Sequence, residues 1–199
     1  MKAKELVLFV DAQNLYRSAR DAFFSSSDHH SFGQIHPIEL GNLVSDSTKG
    51  GATLKQVRVY TGRPDPIKQP GTYTAHMKQC EVWTKLGAEV IARPLRYPID
   101  WPNSKAQEKG IDVALAVDFV AMAVKREYEI GVITSTDTDL KPALEFVYSN
   151  YRGDIDIAVV AWKSSTFKSR LSISSGNIWC HHLTRSQYDQ VADITDYNI

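Results

Sequence analysis

Short apolar segments alternate with helical segments over the first 161 residues, and this alternation limits the fold more than any other feature of the chain. The apolar runs that we predict as strands are Glu5–Val10, Gln56–Tyr60, Glu89–Ala92, Ile130–Thr134 and Ile155–Ala161. The segments that we predict as helices are Ala12–Phe24, Pro37–Val44, Tyr73–Leu86, Ile111–Lys125 and Leu140–Tyr151. Such alternation predicts a parallel sheet with helices on both faces. We therefore expect an α/β protein of three layers (α/β/α) whose central, mainly parallel sheet has five or six strands.

The composition predicts one soluble globular domain. Of the 199 residues, 43% are hydrophobic and 23% are charged, which allows a sizeable core. We expect the α/β unit to occupy residues 1–161, and residues 162–199, with one further strand at Ile178–Cys180, to form an extension packed on the same domain. The sequence shows no membrane-length apolar run and no signal peptide, and Cys80 and Cys180 are its only cysteines. These features predict a cytoplasmic protein with no membrane partner.

Four aspartates lie near the ends of predicted strands or at the start of a predicted helix. Asp11 follows the first strand, Asp137 and Asp139 follow the fourth, and Asp112 opens the helix that begins at Ile111. In parallel sheets, ligands bind at the carboxyl ends of the strands, and the following helices begin at that same edge. Carboxylates that converge there repel each other unless a cation neutralises them, and Mg²⁺ or Mn²⁺ prefer such oxygen ligands. Asp11, Asp112 and Asp137 could each also be a helix N-cap, but a helix needs only one cap, so caps explain several acids at one edge less well.

Three segments occur in the order seen in a known family: Asp11-Ala-Gln-Asn14, Lys109-Gly-Ile-Asp112-Val-Ala-Leu-Ala-Val-Asp118 and Ser135-Thr-Asp137-Thr-Asp139-Leu-Lys-Pro142. Over residues 5–161 the chain resembles the NYN domain of the PIN-like nucleases, and within it the LabA-like bacterial proteins. The resemblance implies a PIN-like, Rossmann-like fold and a metal-dependent ribonuclease. It also implies that Mg²⁺ or Mn²⁺ is held by four catalytic acids: Asp11, Asp112, Asp137 and Asp139.

One position departs from the resembled pattern. Members usually carry glycine where this chain has Thr136, in a turn of the form Ser-Gly-Asp-x-Asp. A β-branched residue disfavours positive φ. We therefore expect this turn to be shaped differently here.

Residues inside the matching segments are candidates for substrate contacts. We predict that Asn14, Lys109 and Ser135 bind substrate. Asn14 could orient a water or a phosphate, or be an ordinary polar residue of the first helical turn, and Lys109 could hold a phosphate as a point charge. Asp118 lies six residues after Asp112 and points to another helix face, so we expect it to pair with a neighbour and not to share a metal.

The proline-containing segment 93–108 supplies a second group of candidates for substrate binding, Tyr97, Trp101 and Lys105. Exposed aromatic rings beside basic residues can stack unpaired bases, although these rings could equally pack the loop onto the protein. The pairs His29-His30 and His181-His182 lack the spacing of structural zinc sites.

We expect a ribonuclease whose partner is RNA in single-stranded form, and a homodimer is compatible with the sequence. Attack by a metal-activated water would leave a 5′-phosphate and a 3′-hydroxyl. The formal net charge of zero argues against tight, non-specific binding of duplexes. Two other functions fit the same residues. One is a non-catalytic RNA-binding or regulatory module on the same fold, and the other is a metal-dependent phosphatase or nucleotidase.

Overall fold

A computed structural model of the protein describes residues 2–164 and 170–199, and at its centre is one sheet of parallel strands. The strands are β1 (Lys4–Asp11), β2 (Ala52–Arg63), β3 (Glu89–Pro94), β4 (Ile130–Thr134), β5 (Asp156–Trp162) and β6 (Trp179–Leu183). Their order across the sheet is β3-β2-β1-β4-β5-β6, and each neighbouring pair is parallel. The helices are α1 (Ala12–Phe23), α2 (Pro37–Ser47), α3 (Pro70–Lys85), α4 (Ile111–Val124), α5 (Lys141–Tyr151) and α6 (Arg185–Val191). The predicted three-layer α/β class is confirmed.

Apolar side chains cover both faces of the sheet. Along β1, Val7 and Phe9 belong to a buried cluster with residues of α4 and α5. Leu6 and Leu8 belong to a second cluster with residues of α1, α2, α3 and α6. Because successive side chains of a strand point to opposite faces, a strand covered on both sides must be apolar throughout. This explains the unbroken apolar run of β1.

Residues suited to helix N-termini fix where several helices begin. Asp11 caps α1, and its carboxylate accepts a hydrogen bond from the backbone N–H of Asn14 at 3.1 Å. Pro37 and Pro70 stand in the first turns of α2 and α3, where no backbone N–H is required. Gly110 precedes α4 with a φ of 74°, in the left-handed region that glycine adopts without strain. Helices α1 and α4 both begin at the carboxyl edge of the sheet.

The order of the strands reverses between β1 and β4. From β1 the chain moves outward to β2 and β3, and it then returns to β4 on the other side of β1. Val10 of β1 pairs with Thr134 of β4, so Asp11 and Ser135 follow at the same level of the sheet. A crevice forms outside the carboxyl ends of the strands at such a point, and ligands of this class of sheet bind there.

Several elements extend beyond their predicted bounds, among them β2 and β6. Strand β2 begins at Ala52, four residues before the prediction, and its first residues alternate between exposed and half-buried positions, which leaves no apolar run to recognise. Strand β6 continues the sheet to Leu183, and α6 then packs Tyr188 against Phe23 and Trp162, with ring centroids 5.7 and 5.6 Å apart. Within the predicted extension 162–199, residues 165–169 lie outside the described part of the chain.

No helix in the described residues has the length and apolar character required to cross a membrane.

Candidate active site and metal centre

A cleft of about 440 Å³ opens beside the carboxyl ends of β1 and β4, where the strand order reverses. Three of the four predicted aspartates line it. Asp11 comes from the end of β1, Asp112 from the first turn of α4, and Asp137 from the turn after β4. Asn14 of α1 lines the cleft as well. The sheet topology thus brings together residues that are up to 126 positions apart (Asp11 to Asp137) in the sequence.

Asp11 is the most buried of these acids, with only 5% of its surface exposed. Its Oδ1 accepts a hydrogen bond from the backbone N–H of Asn14 at 3.1 Å, and its Oδ2 accepts one from the hydroxyl of Ser135 at 2.9 Å. Asp11 is therefore an N-cap, but each carboxylate oxygen keeps a second lone pair. Burial raises the pKa of Asp11 to about 6; the negative charges of Asp112 and Asp137 add to this rise, and the two hydrogen bonds oppose it.

Ser135 is buried between two of the acids and does not face the cleft. It is 1% exposed, and its hydroxyl donates to Asp11 while accepting from the backbone N–H of Asp137 at 3.1 Å. The structure therefore gives Ser135 a positioning contact with each acid, and its predicted role in substrate binding stays a prediction.

Thr136 ties the turn after β4 to the first turn of α1. The side-chain Oδ1 of Asn14 accepts from the backbone N–H of Thr136 at 3.1 Å and from its hydroxyl at 3.2 Å. In the described part of the chain, Arg126 is the only non-glycine residue with a positive φ. The turn therefore does not require a positive φ at Thr136. A glycine could not supply the second of these hydrogen bonds. Thr136 thus gives the turn a side-chain contact with Asn14, and a shape different from that of the family turn stays a prediction.

On the α4 side of the cleft, the charges of Asp137 and Asp139 act on Asp112. Burial raises the pKa of Asp112, and the negative charges of Asp137 and Asp139 raise it further. The carboxylate of Asp137 accepts from the backbone N–H of Asp139 at 2.9 Å and so caps the short 3-10 turn Thr138–Leu140. Asp139 itself is exposed and does not line the cleft. Its predicted role as a metal ligand stays a prediction.

Glu108 is a cleft residue that the sequence pattern did not reveal. Its Oε1 accepts from the backbone N–H of Gly62 at 2.8 Å, and a Cβ at position 62 would lie 2.7 Å from that oxygen. Burial raises the pKa of Glu108 to about 7, and the charge of Asp11 contributes to this rise. Glu108 belongs to the irregular segment 93–108. In this segment neither the end of a predicted strand nor a helical periodicity indicates which residue belongs to a site. Its place directly before the Lys109 segment was the only available signal.

The acids surround the cleft without closing on a single point. In residues 2–164 and 170–199, the only three potential metal ligands whose donor atoms all lie within 4.8 Å of one another are His29, His30 and Asp196. No three of the cleft acids meet that condition. A cluster of carboxylate oxygens nevertheless matches the ligand preference of Mg²⁺ and Mn²⁺, and Mg²⁺ commonly binds through one or two carboxylates while it keeps several waters. The donor set therefore fits a hydrated divalent cation.

Several other predicted residues lie outside the cleft lining. Lys105 and Lys109 are exposed beside it, while Ala106, Gln107 and Glu108 form its wall. Tyr97 and Trp101 pack edge to face, with ring centroids 4.9 Å apart.

The hydroxyl of Tyr97 is already engaged, because it accepts from the backbone N–H of Asp65 at 2.8 Å and donates to Gln69 at 2.7 Å. These bonds anchor the segment 93–108 to the loop after β2. Asp118 pairs with Arg58 at 2.8 Å and accepts from the hydroxyl of Tyr60 at 2.9 Å, apart from the cleft.

Comparisons with known proteins bear on the fold and on the family. The crystal structure of a protein of unknown function, VPA0982 from Vibrio parahaemolyticus RIMD 2210633, is similar to this chain with a TM-score of 0.54. The sequence identity is 16%, and the alignment covers 81% of this chain and 85% of that chain, so the likeness concerns the fold alone. No curated protein matches the chain. The family model of the NYN domain matches residues 5–172, without selecting a LabA-like subgroup, and the chain therefore belongs to the NYN domain family.

Proposed function

We propose that the protein is a metal-dependent ribonuclease that cleaves single-stranded RNA in the cytoplasm. NYN domains are PIN-like nucleases in general, which supports a hydrolase at a coarse level. The observation that carries the proposal is the convergence of Asp11, Asp112 and Asp137 on one cleft at the point where the strand order reverses.

The three cleft aspartates would hold Mg²⁺ or Mn²⁺. When bound, such a cation lowers the pKa of a coordinated water and stabilises charge on the oxygens of a phosphodiester. The hydrogen bond from Ser135 to Asp11 fixes one carboxylate, and the turn bonded to Asn14 fixes the position of Asp137. These contacts hold the acids near one another before a cation binds.

Two side chains that the sequence did not single out complete the proposed site. Arg17 is the only positively charged residue that lines the cleft in the described chain, and we assign it to an RNA phosphate. Glu108 has its Oε1 engaged by Gly62, so its Oε2 remains available to exchange a proton with water in the cleft.

A substrate panel tests the proposal. Wild-type protein and Asp137→Asn are incubated with single-stranded RNA, double-stranded RNA, single-stranded DNA and a phosphomonoester, each with Mn²⁺ and with EDTA. We expect wild type to cleave single-stranded RNA only with Mn²⁺, and Asp137→Asn to lose at least 100-fold of that activity. Hydrolysis of the phosphomonoester alone would identify a phosphatase. Binding of RNA without cleavage of any substrate would identify the non-catalytic module.

A further inference from the structure

A second cavity, of about 380 Å³, lies beside the acidic cleft on the α1 and α3 side of the sheet. Gln13 and Glu108 line both spaces, so the two are direct neighbours at these side chains. Its apolar walls include Leu15, Val59 and Trp83. A cavity of this size with mainly apolar walls and a few polar groups is typical of sites for small organic groups.

The charge of this cavity selects the class of ligand. Apart from Glu108 at the shared edge, its lining in the described chain contains no acid, and it contains no lysine or arginine. Burial, together with the positive charge of Arg63, lowers the pKa of the lining residue His76 to about 4, so its imidazole is neutral at physiological pH. A phosphate would find no lysine or arginine here, whereas an uncharged ring would lose little hydration on entering.

Two glutamines in the lining present a pattern of hydrogen-bonding groups. The side-chain Nε2 of Gln79 donates to Oε1 of Gln34 at 2.7 Å. Within residues 2–164 and 170–199, nothing bonds to the remaining carbonyl Oε1 of Gln79 or to the remaining Nε2 of Gln34. One acceptor and one donor therefore remain on adjacent amides, which is the pattern that amide side chains use to read the edge of a base.

The indole of Trp83 adds a third unsatisfied group. Trp83 is 5% exposed and lines the cavity, and its Nε1–H is buried with no hydrogen-bond partner in the described residues. A buried donor without an acceptor costs stability, and a ligand oxygen that reaches it would remove this cost.

We propose that this cavity binds one unstacked nucleobase, which the paired amides of Gln34 and Gln79 recognise beside the acidic cleft. The cavity adjoins the cleft, so this base would belong to the RNA being cleaved, an assignment that rests on the proposed function. Single-stranded RNA can present such a base, since its bases are free to turn out of a stack. The cavity would then select which nucleotide lies next to the cleaved bond.

Binding to the cavity is measured without catalysis. The four nucleoside 5′-monophosphates and ribose 5-phosphate, which has no base, are titrated in EDTA into full-length ¹⁵N-labelled protein, and the indole signal of Trp83 is followed by NMR. We expect a saturable shift with at least one nucleotide and none with ribose 5-phosphate. An equal shift with ribose 5-phosphate, or none with any nucleotide, would overturn the proposal.

Variants of α3 localise the binding. Ala75 lines the cavity, so Ala75→Phe fills it, whereas Met77→Phe adds a ring to the same helix at an exposed position outside the lining. Gln79→Met keeps the volume of the side chain and removes its amide. This second variant tests the site even if the larger ring of Ala75→Phe prevents folding. We expect at least tenfold weaker nucleotide binding in Ala75→Phe and Gln79→Met and wild-type binding in Met77→Phe. Wild-type affinity in Gln79→Met would contradict recognition by the amides.

A separate assay asks whether the base comes from RNA. A short single-stranded oligoribonucleotide carries one abasic position that is moved along the chain, and cleavage at each bond is followed with Mn²⁺. We expect the wild-type rate to fall at least tenfold at one fixed distance from the abasic position, and Gln79→Met to show no such dependence. Uniform cleavage would refute the RNA base as the occupant. Absence of all cleavage, together with nucleotide binding in EDTA, would refute the proposed nuclease and leave the base site standing.

Discussion

The hydroxyl of Ser135 donates a hydrogen bond of 2.9 Å to Oδ2 of Asp11, and both residues are almost fully buried. This contact joins the ends of two neighbouring strands, β1 and β4, at the floor of the acidic cleft. If a buried carboxylate oxygen loses its hydrogen-bond donor, its uncompensated desolvation destabilises the folded state. The stability of the fold and the position of Asp11 in the candidate site therefore depend on the same bond.

Replacing this hydroxyl should affect both stability and metal affinity. We expect Ser135→Ala to lower the free energy of unfolding by about 1–3 kcal/mol and to weaken Mn²⁺ binding. Ser45→Ala is the matched control, because Ser45 is also buried and its hydroxyl donates to the carbonyl of Ala52 at 3.0 Å, away from the cleft. Urea unfolding and Mn²⁺ titration calorimetry measure the two effects. Equal Mn²⁺ affinity in both variants would show that the serine supports the fold alone.

A divalent cation should stabilise the folded protein. Millimolar Mn²⁺ or Mg²⁺ should raise the melting temperature, because a ligand that binds only the folded state stabilises it and the cation relieves repulsion among the carboxylates. Asp137→Asn should melt at or above the wild-type temperature in EDTA and gain less from Mn²⁺. Asp154→Asn makes the same chemical change at an exposed ion pair with Arg126, and it should keep the full metal response. An unchanged wild-type melting curve would count against the metal site.

The contribution of Asp11 and Glu108 to the stability of the metal-free protein should fall as the pH rises from about 4 to about 7, opposite in sign to the contribution of His76, whose pKa burial lowers. The pKa of Asp11 is raised from 3.8 to about 6 and that of Glu108 from 4.5 to about 7, so in this range these two groups hold more protons in the folded state than in the unfolded state. The contribution of these protons to stability is complete below the unfolded pKa values and is lost as the pH passes the folded ones. The shift of Asp11 corresponds to a change on the order of 3 kcal/mol.

Asp11→Asn isolates this effect because asparagine retains the N-cap and cannot ionise. We expect the variant to lose less stability than wild type between pH 4 and pH 7 in EDTA, as measured by urea unfolding at each pH. The Mn²⁺ affinity of the wild type should instead increase with pH. It should weaken below about pH 6, where Asp11 becomes protonated. Parallel stability profiles for the two proteins would show that Asp11 ionises normally.

A methyl group at Gly62 should displace Glu108 from the cleft wall. A Cβ there would meet the side chain of Leu95 first and would lie 2.7 Å from Oε1 of Glu108, so Gly62→Ala must move both side chains and weaken the hydrogen bond of Glu108. We expect a loss of stability of about 1–3 kcal/mol and a change in the pH profile of RNA cleavage. Gly71→Ala is the control, because nothing lies within 4 Å of the added atom and alanine favours the helix. An unchanged pH profile in Gly62→Ala would argue against proton transfer by Glu108.

The predicted stacking role of Trp101 is tested by RNA binding in the inactive Asp137→Asn background. Stacking on an unpaired base contributes about 1–3 kcal/mol, so Trp101→Ala should weaken binding by about tenfold. Trp179→Ala removes another accessible ring, on the far edge of the sheet at β6, and should leave the affinity within twofold of the parent. Fluorescence anisotropy across a salt series measures both affinities, and the zero net charge predicts a shallow dependence on salt. Equal affinities would mean that Trp101 only packs against Tyr97.

Local patterns in the sequence determined the class of fold. Strand β1 is apolar at every position from Leu6 to Val10 because this part is buried on both faces, and such runs alternate with helices, so a parallel sheet follows from the sequence alone. The same reasoning places Asp11 and Asp137 at the carboxyl edge of the sheet, since Asp11 lies at the end of β1 and Asp137 follows the end of β4 by three residues. The alternative interpretation of both residues as N-caps was also correct. It does not exclude a metal site, because one carboxylate can cap a helix and bind a cation at the same time.

The tertiary structure alone decided which side chains share the cleft and which do not. Glu108 reaches the cleft because Gly62, 46 positions away in the sequence, has no side chain and offers its N–H. Ser135 turns inward to Asp11, and the hydroxyl of Tyr97 is engaged by the loop after β2. Hydrophobic periodicity indicates which face of a helix or strand is buried. These contacts depend instead on the direction of side chains in irregular segments and on partners that are distant in sequence. The sequence thus determined the edge at which the acids lie, and long-range packing determined the composition of the cleft there.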